Sequence, residues 1–410
     1  MDSFIIKDLY MRTKFNIKLF FVSVMIVVST FANAEVSWYG QINRGFLGVN
    51  DGHNKNIFFV DSAYDNSLAG IKGEARLSDN PDNDIKSGGM LELWVMPNVS
   101  NDVTANAVSQ LNKHGKSKNI QFGIVDTWVA SSKAGKISFG RGALASKNTG
   151  TVTLSGTDLI SYAGASDMAG GMYFHPQGAA RSVQSTDPQV GGDGSIFDPL
   201  SGGGIKDRVR YDSPKFGAFI ISTSIGKYPS SDSITKAPIK KHCADVALTY
   251  EDTVGEFKLK GAAAIIKHSK DNNIQSKTGY DGSFAILHTN TGLNAAVSLG
   301  EQRNQIDPTT QTITNSKNRK FSYIQIGKQT DFITYGKTNF AVDYWSTNNS
   351  ASDYDKARAC SIGVVQKLDK LKTELYFGIR NYKYEKPGQK YDRILAALLG
   401  FRISFAGKVL

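Results

Sequence analysis

Lys72, Glu74 and Arg76 stand two residues apart, with Ile71, Ala75 and Leu77 on the alternate positions. Arg208 and Arg210 alternate in the same way with Val209 and Tyr211. On an extended backbone, side chains two apart share a face. Both stretches therefore read as charge ladders backed by an apolar side. The chemistry of such a ladder is non-covalent: it sets a field, attracts counter-ions and orients dipoles where water is confined. Other chemistries find no support. The histidines, His53, His114, His175, His242, His268 and His288, have no histidine neighbour at i+2 to i+4, so no metal site is assigned. No motif pairs a serine with a histidine as nucleophile and base, so no catalytic residue and no enzyme activity is assigned. The turn Asp79-Asn80-Pro81-Asp82-Asn83-Asp84 lacks the glycine and terminal glutamate of an EF-hand loop and reads as solvated. Gly191-Gly192 and Gly202-Gly203-Gly204 lack the lysine-serine pair of a phosphate cradle and read as flexible loop. Cys243 and Cys360 form no metal or redox spacing and read as ordinary small side chains. No cofactor is implied.

The elements that must carry these ladders are strands. Leu371, Thr373, Leu375, Phe377 and Ile379 alternate with Lys372, Glu374 and Arg380. Leu395, Ala397, Leu399, Phe401, Ile403 and Phe405 alternate with Gly400, Arg402 and Ser404. Near the other end, Val36, Trp38, Gly40 and Ile42 alternate with Ser37, Tyr39, Gln41 and Asn43. A period of two gives each segment one apolar and one polar face. The stretch Phe321 to Lys328 switches faces midway and predicts a bulge.

The first residues predict a leader. Arg12, Lys14 and Lys18 precede an apolar run from Leu19 to Val28 and the small-residue site Ala32-Asn33-Ala34, the order of a secretory signal peptide. Residues 1–34 are assigned to it, with Met11 as an alternative start, and 35–410 to a single domain. The leader's apolar run is well short of the ~20 residues a helix needs to span a bilayer. A mature chain that crosses a membrane must do so with strands closed into a barrel, since every backbone group has to be satisfied in lipid. The net charge of +11 favours a pore that attracts anions, or a surface against lipopolysaccharide phosphates. A secreted chain seldom meets nucleic acid, which is therefore not an expected partner.

Alternation alone fits a soluble sandwich as well. The connectors discriminate. Long ones are expected over 50–66, 97–119, 142–206, 227–242, 269–278, 302–319, 347–356 and 383–390, and they take turns with short ones such as Lys133-Ala134-Gly135 and Asn290-Thr291-Gly292. Sixteen segments result, as in an antiparallel up-and-down transmembrane β-barrel with tight periplasmic turns and long outer loops. Trp38, Trp94, Trp128 and Trp345 sit at or near these segments, and with 17 tyrosines and 22 phenylalanines there is enough aromatic surface for two interfacial girdles.

The opening run Val36-Ser37-Trp38-Tyr39-Gly40-Gln41-Ile42-Asn43-Arg44 resembles the first mature strand of the trimeric general porins of Gram-negative bacteria. Gly70 to Glu74, Gly135 to Arg141, Arg208 to Gly217 and Gly400 to Phe405 resemble further strands of that family in order, and Arg208-Val209-Arg210-Tyr211-Asp212-Ser213-Pro214 is the most specific stretch. The resemblance implies an all-β, sixteen-stranded barrel, a homotrimer, and a third outer loop folded into the lumen, here Gly142 to Lys206. It also implies a place in the bacterial outer membrane, with lipid, lipopolysaccharide and the barrel-assembly machinery as partners. Two departures stand out. Ser67-Leu68-Ala69-Gly70 lacks the family's arginine after the serine, and Ala406 to Leu410 extend beyond the terminal aromatic Phe405.

On this reading Lys72, Arg76, Arg208 and Arg210 form a basic wall at the constriction, joined through the resemblance by Arg141. Glu74, with Asp158 and Asp167 on the long loop, supplies the acids. The expected function is passive diffusion of small hydrophilic solutes and ions with an anion preference. A substrate-specific channel and a surface barrel whose loops act as adhesin or receptor are the alternatives.

Overall fold

The computed structural model describes residues 34–78, 84–104, 120–178, 187–191, 196–200, 204–231, 238–270, 275–306 and 317–409. The expected leader up to residue 33, most of the acidic turn, His114 and glycines 192, 202 and 203 lie outside the described residues. Alternating apolar and polar side chains produce the strands β1 Ala34–Asn50, β2 Lys55–Asp61, β3 Ser67–Arg76, β4 Ile85–Val95, β5 Ile120–Ser131 and β6 Gly135–Ala143. There follow β7 Ile205–Asp212, β8 Phe219–Ser231, β9 Pro238–Val254, β10 Phe257–Lys270, β11 Gln275–His288 and β12 Leu293–Ile306. The last are β13 Arg319–Ile333, β14 Gly336–Asn348, β15 Lys356–Leu368, β16 Thr373–Lys386, β17 Gln389–Lys390 and β18 Ile394–Lys408.

Apart from the breaks between β2 and β3 and between β17 and β18, consecutive strands pair antiparallel, and β1 closes on β18 from Ser37↔Lys408 to Asn50↔Leu395. The eighteen segments make sixteen crossings. β2 and β3 both pair with β1, and β17 and β18 both pair with β16, so each of these pairs is one interrupted strand. Closure satisfies the backbone without an open edge, which is what lipid demands. No helix among the described residues is long and apolar enough to cross a membrane.

Register sorts every side chain to one of two faces. Phe46, Ile71, Phe139, Ile265, Phe284, Ile362 and Leu399 are exposed on the outside. The β16 and β18 alternation holds: Leu375, Phe377, Ile379, Leu399 and Phe401 face out, while Tyr376, Arg380 and Leu398 are buried inside. The tail after Phe405 continues the closing strand, with Ala406↔Tyr39, Gly407↔Trp38 and Val409 N–H donating to Val36 O at 2.8 Å.

Three expectations need correction. The middle of the long connector expected over 50–66 is strand β2, Lys55–Asp61. Its outward Ile57 and Phe59 alternate with inward Phe58 and Val60, so both faces are apolar and the period of two is invisible. The predicted bulge in Phe321 to Lys328 is absent; β13 shifts register only between Thr330 and Ile333. Phe321 and Tyr323 face inward because an apolar core fills that part of the lumen. The tryptophans do not form girdles. Trp38 faces out, but Trp94 donates to Glu92, Trp128 lies under the Lys136 ammonium at 4.8 Å, and Trp345 is buried and stacked on Phe321 at 4.7 Å. The outward aromatics near the short turns are instead phenylalanine and tyrosine, as in the contacts of Phe219 with Phe216 and Tyr250.

Candidate functional site

The described parts of the connector between β6 and β7, residues 144–178, 187–191 and 196–200, lie against the inward faces of β8 to β16. Each step is a hydrogen bond to a polar side chain that alternation aims inward. Ala145 N–H donates to Ser224 Oγ at 3.0 Å and Ser146 N–H to Asp245 Oδ2 at 2.7 Å. Thr149 Oγ1 donates to Asp281 Oδ1 at 2.7 Å, and Val152 N–H to Ser283 Oγ at 2.9 Å. Gln325 Nε2 donates to Ser161 O at 2.8 Å, and Tyr382 Oη to Ala165 O at 2.7 Å. Partners come from β8, β9, β11, β13 and β16 in turn, so the segment runs round the wall as a belt. A loop whose backbone is satisfied this way can be buried without helix or sheet of its own.

Its far half is held by apolar contact. Leu159, Ile160, Met168, Met172, Phe174, Phe197 and Leu200 form one core with Leu47, Val60, Trp345, Tyr382, Tyr384 and Leu398 of the wall. Phe197 meets Tyr382 edge-on at 5.1 Å, and Phe174 meets Tyr384 at 5.5 Å. Ile160 enters a notch made by two inward glycines that face each other across β15 and β16. A Cβ on Gly378 would sit 2.2 Å from Ile160 Cγ1, and one on Gly363 2.6 Å from Cγ2. Gly378→Val is expected to expel Ile160 and widen the lumen, read as a larger single-channel conductance; an unchanged conductance would mean that the notch does not hold the segment in place.

Beneath this core lies a buried ion pair. Arg380 Nη2 is 2.8 Å from Asp343 Oδ2, which also accepts from Ser161 Oγ at 2.6 Å and Ser361 Oγ at 2.5 Å. Both ionic side chains are almost wholly buried. Ser161 belongs to the belt, so the ion pair ties belt to wall.

The sequence-predicted residues separate into groups. Lys72, Glu74 and Arg76 face inward but near the short-turn end: β3 ends at Arg76, and Ser37↔Lys72 and Glu35↔Glu74 are register partners at the start of β1. There they join Lys86 and Asp84 in an ion-pair ladder, with Lys72–Glu74 at 3.3 Å, Lys86–Glu74 at 3.6 Å and Arg76–Asp84 at 3.0 Å. Arg208 and Arg210 also face inward, though not as free wall charges. Arg208 forks onto Asp126 at 2.7 and 2.6 Å and donates through Nε to Ala143 O at 3.1 Å. Arg210 holds Asp212 at 2.7 Å and donates to Leu144 O at 2.9 Å. The pair clamps the start of the belt.

Arg141 departs from expectation. It is in register with Val125 and Asp207, both outward, and its Nε donates to Phe122 O at 3.1 Å. Gly140, with φ of +132°, and Gly142 keep the strand close-packed there; a Cβ on Gly142 would strike Arg208, so Gly142 takes the inward position and Arg141 the outward one.

Asp158 and Asp167 are both on the belt but in different settings. Burial raises the Asp158 carboxyl, while Arg402 and Lys367 on the wall oppose that shift. Asp167 accepts from the Tyr162 hydroxyl and is half-buried on the belt. Burial, then the neighbouring Asp198, push its carboxyl up to about 7.

Several functional residues were missed. Asp245, between Ala244 and Val246, and Asp343, between Val342 and Tyr344, occupy inward positions flanked by outward apolar or aromatic residues, so alternation could have found them; Asp126 and Asp281 also face inward but have Thr127 and Gly282 beside them. Lys136 lies within electrostatic range of Lys72 and Arg210, and Lys147 on the belt within range of Glu92 and Asp65. Arg402 on β18 binds Glu374 and, at 2.6 Å, Asp65 from the break between β2 and β3. That break could not be anticipated, and neither could this network. Among the described residues no group of three or more potential metal ligands is present. Cys243 is buried inside and Cys360 exposed outside, and both are free thiols.

A family model described as Gram-negative porin matches residues 22–387. Among solved structures, the anion-selective porin from Comamonas acidovorans aligns with a TM-score of 0.58 at 13% identity, over 91% of this chain and 100% of its own. The trimer form of OmpT, an outer membrane protein of Vibrio cholerae, gives 0.55 at 13% identity over 91% and 100%. The outer membrane channel DcaP of Acinetobacter baumannii gives 0.52 at 11% identity over 91% and 98%. No curated protein matches the chain.

Proposed function

The chain belongs to the Gram-negative porin family and is an outer-membrane porin channel, and we propose that it passes small hydrophilic solutes and ions by diffusion with a preference for anions. What supports this reading is a basic cluster on the β3 to β7 side of the lumen, where Lys136 lies within electrostatic range of Lys72 and Arg210 as well as of Asp212 and Asp126, while beyond its start the belt is anchored on β8 to β16. Cations on one wall facing acids such as Asp158 set up a transverse field, which orients dipolar solutes and favours anions where the water column is narrow. The net charge of +11 acts in the same direction at longer range. One structural relative is named an anion-selective porin, which agrees with this sign. The belt, residues 144–204, serves as the constriction. The assembly is a homotrimer, as in the trimer form of OmpT. Outer-membrane lipid and lipopolysaccharide surround it, and the barrel-assembly machinery inserts it.

Reversal potentials across planar bilayers in a salt gradient test the anion preference. The wild type is expected to pass chloride more readily than potassium, and Lys72→Glu with Lys136→Glu to invert that order. Cation preference in the wild type would end the proposal. A double variant with unchanged selectivity would remove these side chains from the narrow region.

A further inference from the structure

Three aromatic rings lie flat on the lumen wall formed by β1, β3, β4 and β5, each over a glycine. On β4 the inward positions run Trp94, Glu92, Met90 and Gly88. Tyr39 joins at the level of Glu92, since Gly70 pairs with both, and Trp128 joins at the level of Gly88. A Cβ on Gly123 would lie 2.1, 2.2 and 2.5 Å from Nε1, Cε2 and Cδ1 of Trp94. One on Gly70 would lie 2.4, 2.6 and 2.8 Å from Cζ, Oη and Cε1 of Tyr39. Adjacent ring atoms at such similar distances mean that the face of each ring, not its edge, covers the glycine. Trp128 covers Gly88 in the same way, with Cζ2 at 2.4 Å and Cε2 at 2.7 Å from the added Cβ. Glycine inside a strand weakens it and marks a place where another group comes close. All three rings are partly exposed, and with one face on the wall the other is turned to the lumen. Lys136 stands over Trp128. Glu92 fixes the upper two rings: it accepts from Tyr39 Oη at 2.9 Å and from Trp94 Nε1, and is itself buried. Lys147 on the belt is exposed and within electrostatic range of Glu92.

A flat apolar face with polar groups at its rim fits a solute built the same way. A pyranose sugar is such a solute: its axial C–H groups make one apolar face, and its hydroxyls radiate near the ring plane. We infer that Trp94 and Tyr39 form a stacking subsite for a neutral pyranose sugar, with Lys147 across from them to meet its hydroxyls. This rests on the channel reading and names the solute class that the lumen selects. An aromatic carboxylate could also stack on these rings. It would, however, bring its charge against the Glu92 carboxylate that holds both of them, whereas a neutral sugar meets no such repulsion.

The test is ion conductance of the full-length protein in planar bilayers, titrated with cellobiose, with mannitol and with sodium benzoate. Cellobiose is expected to block the current saturably. Mannitol has the hydroxyls but no flat face, and is expected to lower the current only in proportion to its concentration. Tyr39→Leu with Trp94→Leu is expected to raise the half-blocking concentration of cellobiose about tenfold, equivalent to about 1.4 kcal/mol. Tyr39→Phe with Trp94→Phe keeps two flat rings and is expected to stay near the wild type. Block is taken relative to each variant's own sugar-free conductance. Should the leucine variant not insert, Gly123→Ala, which drives Trp94 off the wall from behind, decides in its place and is expected to weaken block. Saturation by mannitol, tighter block by benzoate than by cellobiose, wild-type block in the leucine variant, or a phenylalanine variant as weak as the leucine one would each overturn the subsite. If the wild type conducts and cellobiose does not saturate it, the subsite is refuted and the channel stands. If the wild type does not conduct, it is the channel reading that fails.

Discussion

Asp343→Ala is expected to release the belt from the barrel wall and give a channel with larger, noisier conductance. Asp343 Oδ2 accepts hydrogen bonds from Ser161 of the belt, Ser361 of β15 and Arg380 of β16. Removing it strands the Arg380 guanidinium in a closed, largely apolar space, where Nε and Nη1 already have no protein partner. Breaking one side of a buried ion pair costs about 3–5 kcal/mol, because the remaining charge is left uncompensated. That shifts the ratio of docked to undocked belt by about a thousandfold. The double variant Asp343→Leu with Arg380→Met separates charge from shape, since apolar replacement of a whole buried pair is often neutral or stabilising. Its conductance is expected to return toward wild type. If Asp343→Ala left conductance and noise unchanged, the ion pair would not be what holds the belt.

The second large effect is on pH. The Asp167 carboxyl is pushed from 3.8 up to about 7 by burial and by Asp198, against the Tyr162 hydroxyl, Asn101 and Arg380, which favour its ionised form. The docked belt thus keeps a proton that a released belt gives up. A raised acid stabilises docking most below the released value of 3.8, and the contribution declines as pH climbs to about 7 and is then constant. Three pH units correspond to about 4 kcal/mol at most. The channel is therefore expected to be quietest in mild acid and to fluctuate more between pH 5 and about 7.5. Asp167→Asn keeps the shape and removes the titration, so its noise is expected to stay low and flat across that range. A wild-type profile without slope, or an Asn variant with the same slope, would assign the effect elsewhere.

Asp167 was legible as an acid of the long segment and Asp343 as an inward residue between Val342 and Tyr344, but the partners of neither were. Arg208 and Arg210 were legible as inward arginines because they alternate with Val209 and Tyr211. Their partners were not, since Asp126 lies 82 residues from Arg208. Arg141 was misplaced because resemblance, not parity, assigned it, and the glycines on either side hide the alternation. Trp345 and Tyr323 sit inside because the belt brings an apolar surface into the lumen to meet them, which no pattern within β13 or β14 can announce.

The sequence by itself determined the strands, the parity of their faces and the closed barrel, because a period of two and the need to satisfy backbone groups in lipid are local and near-local properties. It also marked the long segment after β6 as the longest of the connectors. Only the tertiary structure decided where that segment lies and which charges stay free. Ion pairing and core packing depend on side chains as far as 337 residues apart, as with Asp65 and Arg402, and that distance is bridged only once the barrel has closed.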